Sequence, residues 1–276
     1  MNVRFVKMNP SGNTTTFILD QVPAEKREAV ANAAMAYAGP GAEQVAFILP
    51  APEEEAGCRM EMAGGEFCGN ASRSFAAWLQ LCPEGGMPHD FQPAEAERII
   101  RVSGAAEPLT AKIVSRNTDN RCYVSVAMPK PEVIRAGTDE WFGEYTIVWF
   151  NGITHVVLWN REPNDQDMEH IRPFLQQFDF LQEAFGLMYY NEETQFMRPL
   201  VCVENPYTLV WENSCGSGSS ALVSALAHRK NGSVGPVEVH QPGGDLTVTA
   251  SWNNGQVEEL ILGGEVEVAV VGNLFV

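Results

Sequence analysis

The feature that most constrains this fold is a pair of matching Cys-Gly turns, each followed by a predicted helix. Cys68-Gly69-Asn70-Ala71-Ser72 lines up with Cys215-Gly216-Ser217-Gly218-Ser219, 147 residues further along the 276-residue chain. Small and apolar residues at helical spacing follow both turns. Near the start of each half, Gly12-Asn13-Thr14 lies opposite Gly152-Ile153-Thr154. The two matched segments predict two domains built on one repeated pattern.

Most of the remaining chain alternates apolar and polar residues, as antiparallel strands do. Such segments occur in both halves, for example at 109–115 and 145–152. A Pro-rich joint, Met128-Pro129-Lys130-Pro131, lies between the halves. Because strands outnumber helices and do not alternate regularly with them, we predict an α+β fold of two similar domains.

Composition narrows the class of partner. The net charge of −17 argues against nucleic acid or an anionic membrane surface. The N-terminal segment lacks the apolar core of a signal peptide, and no apolar run approaches the roughly 20 residues that span a bilayer. We therefore predict a cytoplasmic protein whose six cysteines remain free thiols. Its partner is predicted to be a small molecule, without nucleic acid or membrane, and apolar strand segments leave room for a homodimer.

A thiol directly before a helix start is well placed for acid–base chemistry. The first N–H groups of a helix lack partners, and the helix dipole adds partial positive charge there. Such a position lowers a thiol pKa from about 8.5 toward neutrality. The same N–H groups can hold a carboxylate. Each Cys-Gly turn therefore predicts an activated thiol beside an anion site.

Two such turns permit a reaction that one alone does not. Inversion of an amino-acid α-carbon requires removal of a proton from one face and its return to the other. One ionised and one protonated thiol could do both if the substrate is held by its carboxylate. The cleft between two domains is a natural place for such a ligand. Cys68 and Cys215 are therefore predicted to be the two bases of a racemase or epimerase.

Neither cofactors nor metals are indicated by the motifs. The Gly216–Ser220 segment resembles a phosphate-binding loop only weakly, because it lacks the lysine of a P-loop. No lysine lies in a pattern typical of a pyridoxal Schiff base, and the histidines show no metal-ligand spacing. We predict that the reaction uses no cofactor and no metal.

These motifs together resemble the diaminopimelate epimerase superfamily, which also includes proline racemases. The resemblance implies two similar domains, each a strongly curved, mostly antiparallel sheet around a central helix, with the active site in the interdomain cleft. The first domain would comprise residues 1–120 plus a C-terminal strand at about 264–276. The second would comprise residues 121–263. Cys68 and Cys215 would be the thiol pair of a cofactor-independent enzyme.

Within that superfamily the motifs are most similar to the histidine racemases of staphylopine-type metallophore pathways. The matching segments are Asn9–Asn13, Glu43–Val45, Glu66–Ala71, Trp211–Gly218 and His240–Gly244. This resemblance implies conversion of L-histidine to D-histidine for an opine-type metallophore. The arginine that diaminopimelate epimerases place before the second cysteine is missing from the segment ending at Ser214, which disfavours a substrate with a second carboxylate.

The turns and the resemblance together define the candidate site. Cys68 and Cys215 are the predicted catalytic residues. The predicted substrate-binding residues are Asn13, Gln44, Gly69, Asn70, Glu212, Gly216 and Ser217, where the backbone of the glycines, Asn70 and Ser217 would hold the carboxylate. The residues of second rank are Glu43, Glu66, His155 and His240.

Two classes of alternative remain open. One is another epimerase of the same fold, acting on diaminopimelate or a proline-type imino acid. The other is a phenazine-biosynthesis-like isomerase or a non-catalytic amino-acid binding protein. Isomerases of the phenazine type share the architecture but lack the paired thiols, so Cys68 and Cys215 argue against that class.

Overall fold

The computed structural model describes residues 1–51, 57–82, 95–115, 120–204 and 207–276. Within these ranges the chain forms four α-helices and sixteen β-strands. It divides into two compact units, one of residues 1–127 with 263–276 and the other of residues 128–262.

The first unit is built mainly from strands, with two helices between them. Its elements are β1 (Asn2–Asn9), β2 (Thr15–Ile18), α1 (Ala24–Met35), β3 (Gln44–Pro50), β4 (Cys58–Met62), α2 (Gly69–Leu81), β5 (Glu95–Ile100), β6 (Leu109–Ser115) and β7 (Arg121–Ala127).

The second unit has the same character. Its elements are β8 (Val133–Asp139), β9 (Gly143–Phe150), β10 (Ile153–Trp159), α3 (Asp167–Gln176), β11 (Ala184–Asn191), β12 (Phe196–Glu204), β13 (Tyr207–Trp211), α4 (Gly216–Lys230), β14 (Val234–Gln241), β15 (Gly244–Asn253) and β16 (Gln256–Phe275). The last part of β16 belongs to the first unit, where it pairs with β1 in antiparallel fashion.

The strand pairing follows one pattern in both units. In the first, β1–β2 is antiparallel, β2–β3 is parallel and β3–β4 is antiparallel. In the second, β9–β10 is antiparallel, β10–β11 is parallel and β11–β12 is antiparallel. The parallel pairs β2–β3 and β10–β11 are joined by the helices α1 and α3, because parallel strands need a crossover connection.

The helices α2 and α4 occupy the interior of their units. Eleven of the thirteen α2 residues are buried, and a helix that is buried all round belongs to a core. Strands β1, β5, β6 and β7 all contact α2, and β8 to β11, β14 and β15 contact α4. The sheet of each unit therefore curves around its helix. This confirms the predicted α+β class with a curved, mostly antiparallel sheet.

Each unit also buries an apolar cluster. In the first unit, Phe17 of β2 meets Phe75 and Trp78 of α2 with ring centroids 6.2 and 6.4 Å away. In the second unit, α3 packs on the other face of the sheet from α4, with Ile171 and Leu175 completely buried. The first cluster packs α2 on its sheet, and the second covers the opposite face of the sheet that holds α4.

Some elements differ from the sequence-based expectation. Strands β4 and β8 were not predicted, because their apolar residues are few and their order comes from neighbouring strands β3 and β9. Strand β7 lies in the first unit, since it pairs with β6 and packs on α2. Residues 121–127 were instead predicted from the sequence to belong to the second domain.

In the part of the chain that the structure describes, no helix combines the length and hydrophobicity needed to cross a membrane.

A loop after β5 fixes the segment that leads into the first Cys-Gly turn. The Ser103 hydroxyl accepts a hydrogen bond from the Met62 N–H and donates one to the Glu66 carbonyl, both at 2.9 Å. Gly104 has a φ of +71°, and a Cβ placed on it would lie 2.2 Å from the Phe67 nitrogen. Only glycine fits this position, because both the backbone conformation and the space exclude a side chain.

We expect Gly104→Ala to destabilise the protein more than Gly255→Ala. Gly255 also has a positive φ, of +81°, but nothing lies within 4 Å of its Cβ position. The Gly255 variant should lose about 1–2 kcal/mol from backbone strain alone. The Gly104 variant should lose about 1–3 kcal/mol more, because the added carbon displaces the Phe67 backbone. Urea unfolding measures both, and equal losses would contradict the described packing.

Candidate active site

Cys68 is the N-cap residue of α2. Its backbone is extended, with φ −134° and ψ 114°, and its Sγ accepts a hydrogen bond from the Ala71 N–H at 3.4 Å. The Ser72 hydroxyl donates to the Cys68 carbonyl at 2.8 Å. A sulfur atom thus fills the position that an oxygen of serine or aspartate usually takes at a helix start.

Cys215 occupies the equivalent position at α4. Its φ and ψ are −121° and 108°, and its Sγ accepts from the Gly218 N–H at 3.3 Å. The Ser219 hydroxyl donates to the Cys215 carbonyl at 2.7 Å. The two turns therefore have the same local geometry, and both point a thiol toward the positive end of a helix dipole.

Residues of β3 and of the turn after β1 lie beside the first thiol. The Cys68 thiol donates to the Gln44 side-chain carbonyl at 3.1 Å. The adjacent residue, Glu43, accepts from the Asn13 side-chain amide at 3.2 Å. Asn13 is buried, and its Oδ1 has no hydrogen-bond partner among the described residues. The Asn13–Glu43 and Gln44–Cys68 pairs are adjacent along the chain at Glu43 and Gln44 and together make up the polar group near Cys68, in which Asn13 Oδ1 is an acceptor to spare.

A buried arginine lies behind the first turn. Arg73 of α2 has no exposed surface, and its Nη2 donates to the Asn70 side-chain carbonyl at 2.8 Å. Burial lowers the Arg73 pKa to about 10, while interactions with Tyr123, Cys68 and Cys122 raise it. The guanidinium therefore stays charged at neutral pH.

The second thiol is surrounded by a different set of side chains. Gln241 at the end of β14 accepts from the Cys215 N–H at 2.8 Å and donates to the Ser219 hydroxyl at 3.1 Å. The Ser217 hydroxyl lies 3.5 Å from the Cys215 Sγ and 2.9 Å from His155 Nε2. His155, Ser217 and Cys215 therefore form a hydrogen-bonded row within the second unit.

The expectation that both helix starts lower a thiol pKa is wrong for Cys215. Burial raises its pKa well above the usual value, and the neighbouring Glu212 raises it further by its charge and by a hydrogen bond. The Ser217 hydroxyl and the Gly218 N–H lower it, but they do not outweigh desolvation. At neutral pH Cys215 is therefore a thiol, suited to give a proton.

Known proteins similar in sequence to this chain identify its family. A family described as "Histidine racemase CntK N-terminal domain" matches residues 2–275. The chain belongs to the histidine racemase family. The histidine racemase of Staphylococcus aureus strain Mu50 is 28% identical over 99% of this chain and 98% of that protein. The histidine racemase of Fusobacterium nucleatum is 30% identical over 99% and 97%.

A solved structure shares the fold at low sequence identity. The hydroxyproline epimerase of Agrobacterium vitis, with bound trans-4-hydroxy-L-proline, has a TM-score of 0.66 and 13% identity, over 99% of this chain and 92% of that one. The predicted resemblance to histidine racemases is thus confirmed, and with it the prediction that the chain is an amino-acid racemase.

The remaining candidates of this histidine racemase family member are placed as follows. Gly69 and Gly216 are the buried first residues of α2 and α4. Their N–H groups are therefore among those at a helix start that have no acceptor within the helix. Glu66 is exposed, with its carboxylate folded over Gly64. Glu212 follows β13, and its N–H donates to the Pro199 carbonyl at 3.0 Å.

His240 is not directed at the second thiol. Its Nδ1 lies 2.7 Å from the Asp245 carboxylate, while the neighbouring Gln241 is buried against Cys215. Adjacent residues on a strand point to opposite faces, which explains the difference. Among the described residues, Glu238, His240 and Asp245 form a group whose ligand atoms lie within 4.8 Å of one another, on exposed or half-buried parts of β14 and β15.

Two site residues were missed by reasoning from the sequence. Gln241 was noted only as part of a Gln-Pro-Gly-Gly motif. Its contact with Cys215 was not predicted, because no rule relates two residues at that sequence spacing. Arg73 was not singled out, because a charge inside a helix usually faces solvent. The surplus of small residues around it, Ala71, Ser72 and Ser74, was the one available signal of a helix buried all round.

We expect His155→Gln to make stability less sensitive to acid. Burial lowers the His155 pKa to about 3, whereas an unfolded histidine titrates near 6.5. Between these values the unfolded state binds a proton that the folded state does not. The wild type therefore loses about 1.4 kcal/mol of stability per pH unit from this residue as the pH falls from about 6.5.

Urea unfolding across this pH range measures the slope. The glutamine variant keeps a donor for Ser217 but cannot titrate, so its slope should be shallower than that of the wild type. His170→Gln, at an exposed position of α3, controls for the loss of an imidazole. Identical slopes for the wild type and the His155 variant would show that the buried ring is not held neutral.

Proposed function

We propose that this enzyme interconverts L- and D-histidine by moving protons at Cα between substrate and the thiols of Cys68 and Cys215. The observation that carries the proposal is the matched geometry of the two thiols. Each caps a buried helix, and each accepts a hydrogen bond from the third N–H of that helix. Membership of the histidine racemase family supports the substrate.

The chemistry balances with these groups alone. A thiolate takes the α-proton, so the C–H bond breaks, an S–H bond forms and the electron pair moves from Cα into the carboxylate. The electron pair then returns from the carboxylate to Cα and forms a new C–H bond on the opposite face with the proton of the other thiol. The S–H bond of that thiol breaks and leaves its electrons on sulfur. One proton leaves the substrate, one enters, and neither oxidant nor reductant is consumed.

The carboxylate is the group that must be stabilised during this transfer. In the transition state it gains negative charge, and donors fixed in advance are the most effective stabilisers. The N–H groups of Gly69, Asn70, Gly216 and Ser217 belong to the first turns of α2 and α4, where the helix dipole favours an anion. We assign these groups to the substrate carboxylate.

The polar group around Cys68 suits the other end of the amino acid. The buried Oδ1 of Asn13 is an acceptor without a described partner, and Glu43 beside it carries a negative charge. Both favour an ammonium group, which offers three donors. Glu212 beside Cys215 favours an imidazole that donates a hydrogen bond or carries a charge, and disfavours a second carboxylate.

The architecture in this proposal is a duplicated pair of domains that both contribute to one site. The shared order of strands and helices in the two units supports a duplication, and the two-thiol mechanism requires both thiols to reach one substrate. The product, D-histidine, would serve the assembly of an opine-type metallophore in the cytoplasm, as the sequence motifs imply. We also propose that the chain forms a homodimer. Size-exclusion chromatography with light scattering should then give twice the mass of one chain.

Incubation with L-histidine in D₂O tests the reaction. The Cα–H signal should disappear from the NMR spectrum while D-histidine accumulates on chiral chromatography. Cys68→Ser and Cys215→Ser should each lower racemisation by about 10²–10⁴-fold, because a hydroxyl is a poor replacement for either thiol. Cys58→Ser, at a half-buried thiol of β4, should keep wild-type turnover.

Parallel incubations with diaminopimelate, L-proline and the other common L-amino acids test the substrate. Exchange with diaminopimelate or proline but not with histidine would replace the substrate and leave the mechanism standing. Full turnover in either serine variant would overturn the two-thiol mechanism. Exchange with none of the amino acids would overturn the proposed function itself.

A further inference from the structure

The two Cys-Gly turns share their backbone geometry but differ in the charges around them. Both thiols accept an N–H from their own helix, and both carbonyls accept a serine hydroxyl one turn later. If the surroundings of the two thiols were also identical, Cys68 and Cys215 would have the same pKa, and either would be ionised equally often. The side chains around the turns differ, and so do their effects on the ionisation of the two thiols.

In the first unit the difference is a buried positive charge. Arg73 lies five residues after Cys68 in α2 and has no exposed surface. One of its nitrogens donates to neutral Asn70, while Nε and Nη1 have no acceptor among the described residues. A buried charge that is not paired is costly, so a negative group nearby is strongly favoured.

Three ionisable groups interact electrostatically with the Arg73 guanidinium, namely Tyr123, Cys68 and Cys122, and of these Cys68 is the one at the helix start, where the helix dipole also favours a negative charge. Cys122 also faces the guanidinium, but burial raises the Cys122 pKa to about 12, so it remains a thiol.

From β3, the side-chain amide of Gln44 lies 3.1 Å from the Cys68 Sγ. Its oxygen accepts from the protonated thiol, and its NH₂ group donates to the ionised sulfur when the amide turns over. Glu43, next to Gln44, is negative, but its position is exposed and its carboxylate accepts from Asn13, so water and salt screen its charge. The buried charge beside Cys68 is the positive one of Arg73.

In the second unit the corresponding balance is negative. The residue five positions after Cys215 is Ser220, whose hydroxyl donates to the Gly216 carbonyl at 2.9 Å. The other groups against Cys215 are Ser217, Gln241 and, through Ser217, the neutral ring of His155. Within the part of the chain that the structure describes, the charged group that acts on this thiol is the Glu212 carboxylate, which hydrogen-bonds to it and opposes its ionisation.

We infer that the resting enzyme carries its negative charge on Cys68 and its proton on Cys215, and that Arg73 is the positioning residue that sets this difference. The inference rests on the proposed function, because it assigns the starting state of that reaction. The resting enzyme would then accept the enantiomer whose α-hydrogen faces Cys68.

A consequence for turnover follows from proton balance. After one inversion Cys68 holds the proton and Cys215 the negative charge, with Glu212 beside it. To return to rest, Cys68 must release one proton and Cys215 must gain one, and the charges of Arg73 and Glu212 both drive this step. Turnover from the opposite enantiomer must start from the less populated of the two forms.

Ultraviolet thiolate absorbance, followed from about pH 5 to pH 10, measures the starting state directly. The titration step at the lower pH should disappear in Cys68→Ser and persist in Cys215→Ser. Iodoacetamide alkylation at each pH, read by mass spectrometry of the two cysteine peptides, gives the same midpoints residue by residue. Buried Cys82 is the internal control.

Charge variants test the cause. Arg73→Gln keeps a donor for Asn70 but removes the charge, so the Cys68 midpoint should rise by about one pH unit or more, a tenfold loss of thiolate below the midpoint. Arg73→Lys keeps the charge and should restore most of the shift. Glu212→Gln should lower the Cys215 midpoint and leave that of Cys68 unchanged. If the Arg73 variants do not fold, Glu212→Gln still tests whether local charge sets the difference between the two titration midpoints.

The outcomes separate this inference from the proposed function. If Cys215 titrates at or below the pH of Cys68, the inference is wrong, even when histidine is racemised. If a folded Arg73→Gln variant keeps the wild-type Cys68 midpoint, Arg73 does not set the difference. If Cys68 titrates first but no amino acid is racemised, the proposed function fails and the charge assignment stands.

Discussion

The hydrogen bond from a helix N–H to a cysteine sulfur is the interaction on which the rest of this structure depends. It appears twice, at Ala71 to Cys68 and at Gly218 to Cys215. Helix starts buried in a core need a side-chain acceptor, since water cannot satisfy their N–H groups. A thiol meets this need and remains able to gain or lose a proton. The sulfur that we propose to carry the proton thus also completes the first turn of its helix.

Features that depend on neighbouring residues could be predicted from the sequence. The Cys-Gly turns, the helices after them and most strands follow from patterns within about ten residues, and the repeat of the turn indicated two similar halves. Family motifs added the reaction class. Asn13, Gln44 and Glu43 were recognised in this way. In the structure Gln44 hydrogen-bonds to Cys68, and Asn13 hydrogen-bonds to Glu43, the residue before Gln44.

Features that depend on distant contacts could not be predicted. Whether a helix start lowers the pKa of a thiol depends on how deeply the thiol is buried. At Cys215 the loss of water contact raises the pKa by more than the helix start lowers it. Gln241 is linked to Cys215 only because β14 returns beside the start of α4. His240 shows the converse, since a motif match does not reveal which face of a strand its side chain takes. The burial of Arg73 likewise depends on strands that come later in the chain.

Both Cys-Gly turns are supported by residues that follow their helices. Ser103 and Gly104 hold the segment before Cys68, and Gln241 and Gly243 hold the segment around Cys215. During synthesis α2 and α4 therefore emerge from the ribosome before the residues that lock their first turns. A chain interrupted before Gln241 can contain both cysteines and both helices and still lack a formed second turn. The turn around Cys68 can thus be completed once Ser103 and Gly104 have been made, whereas the turn around Cys215 is completed only near the end of synthesis.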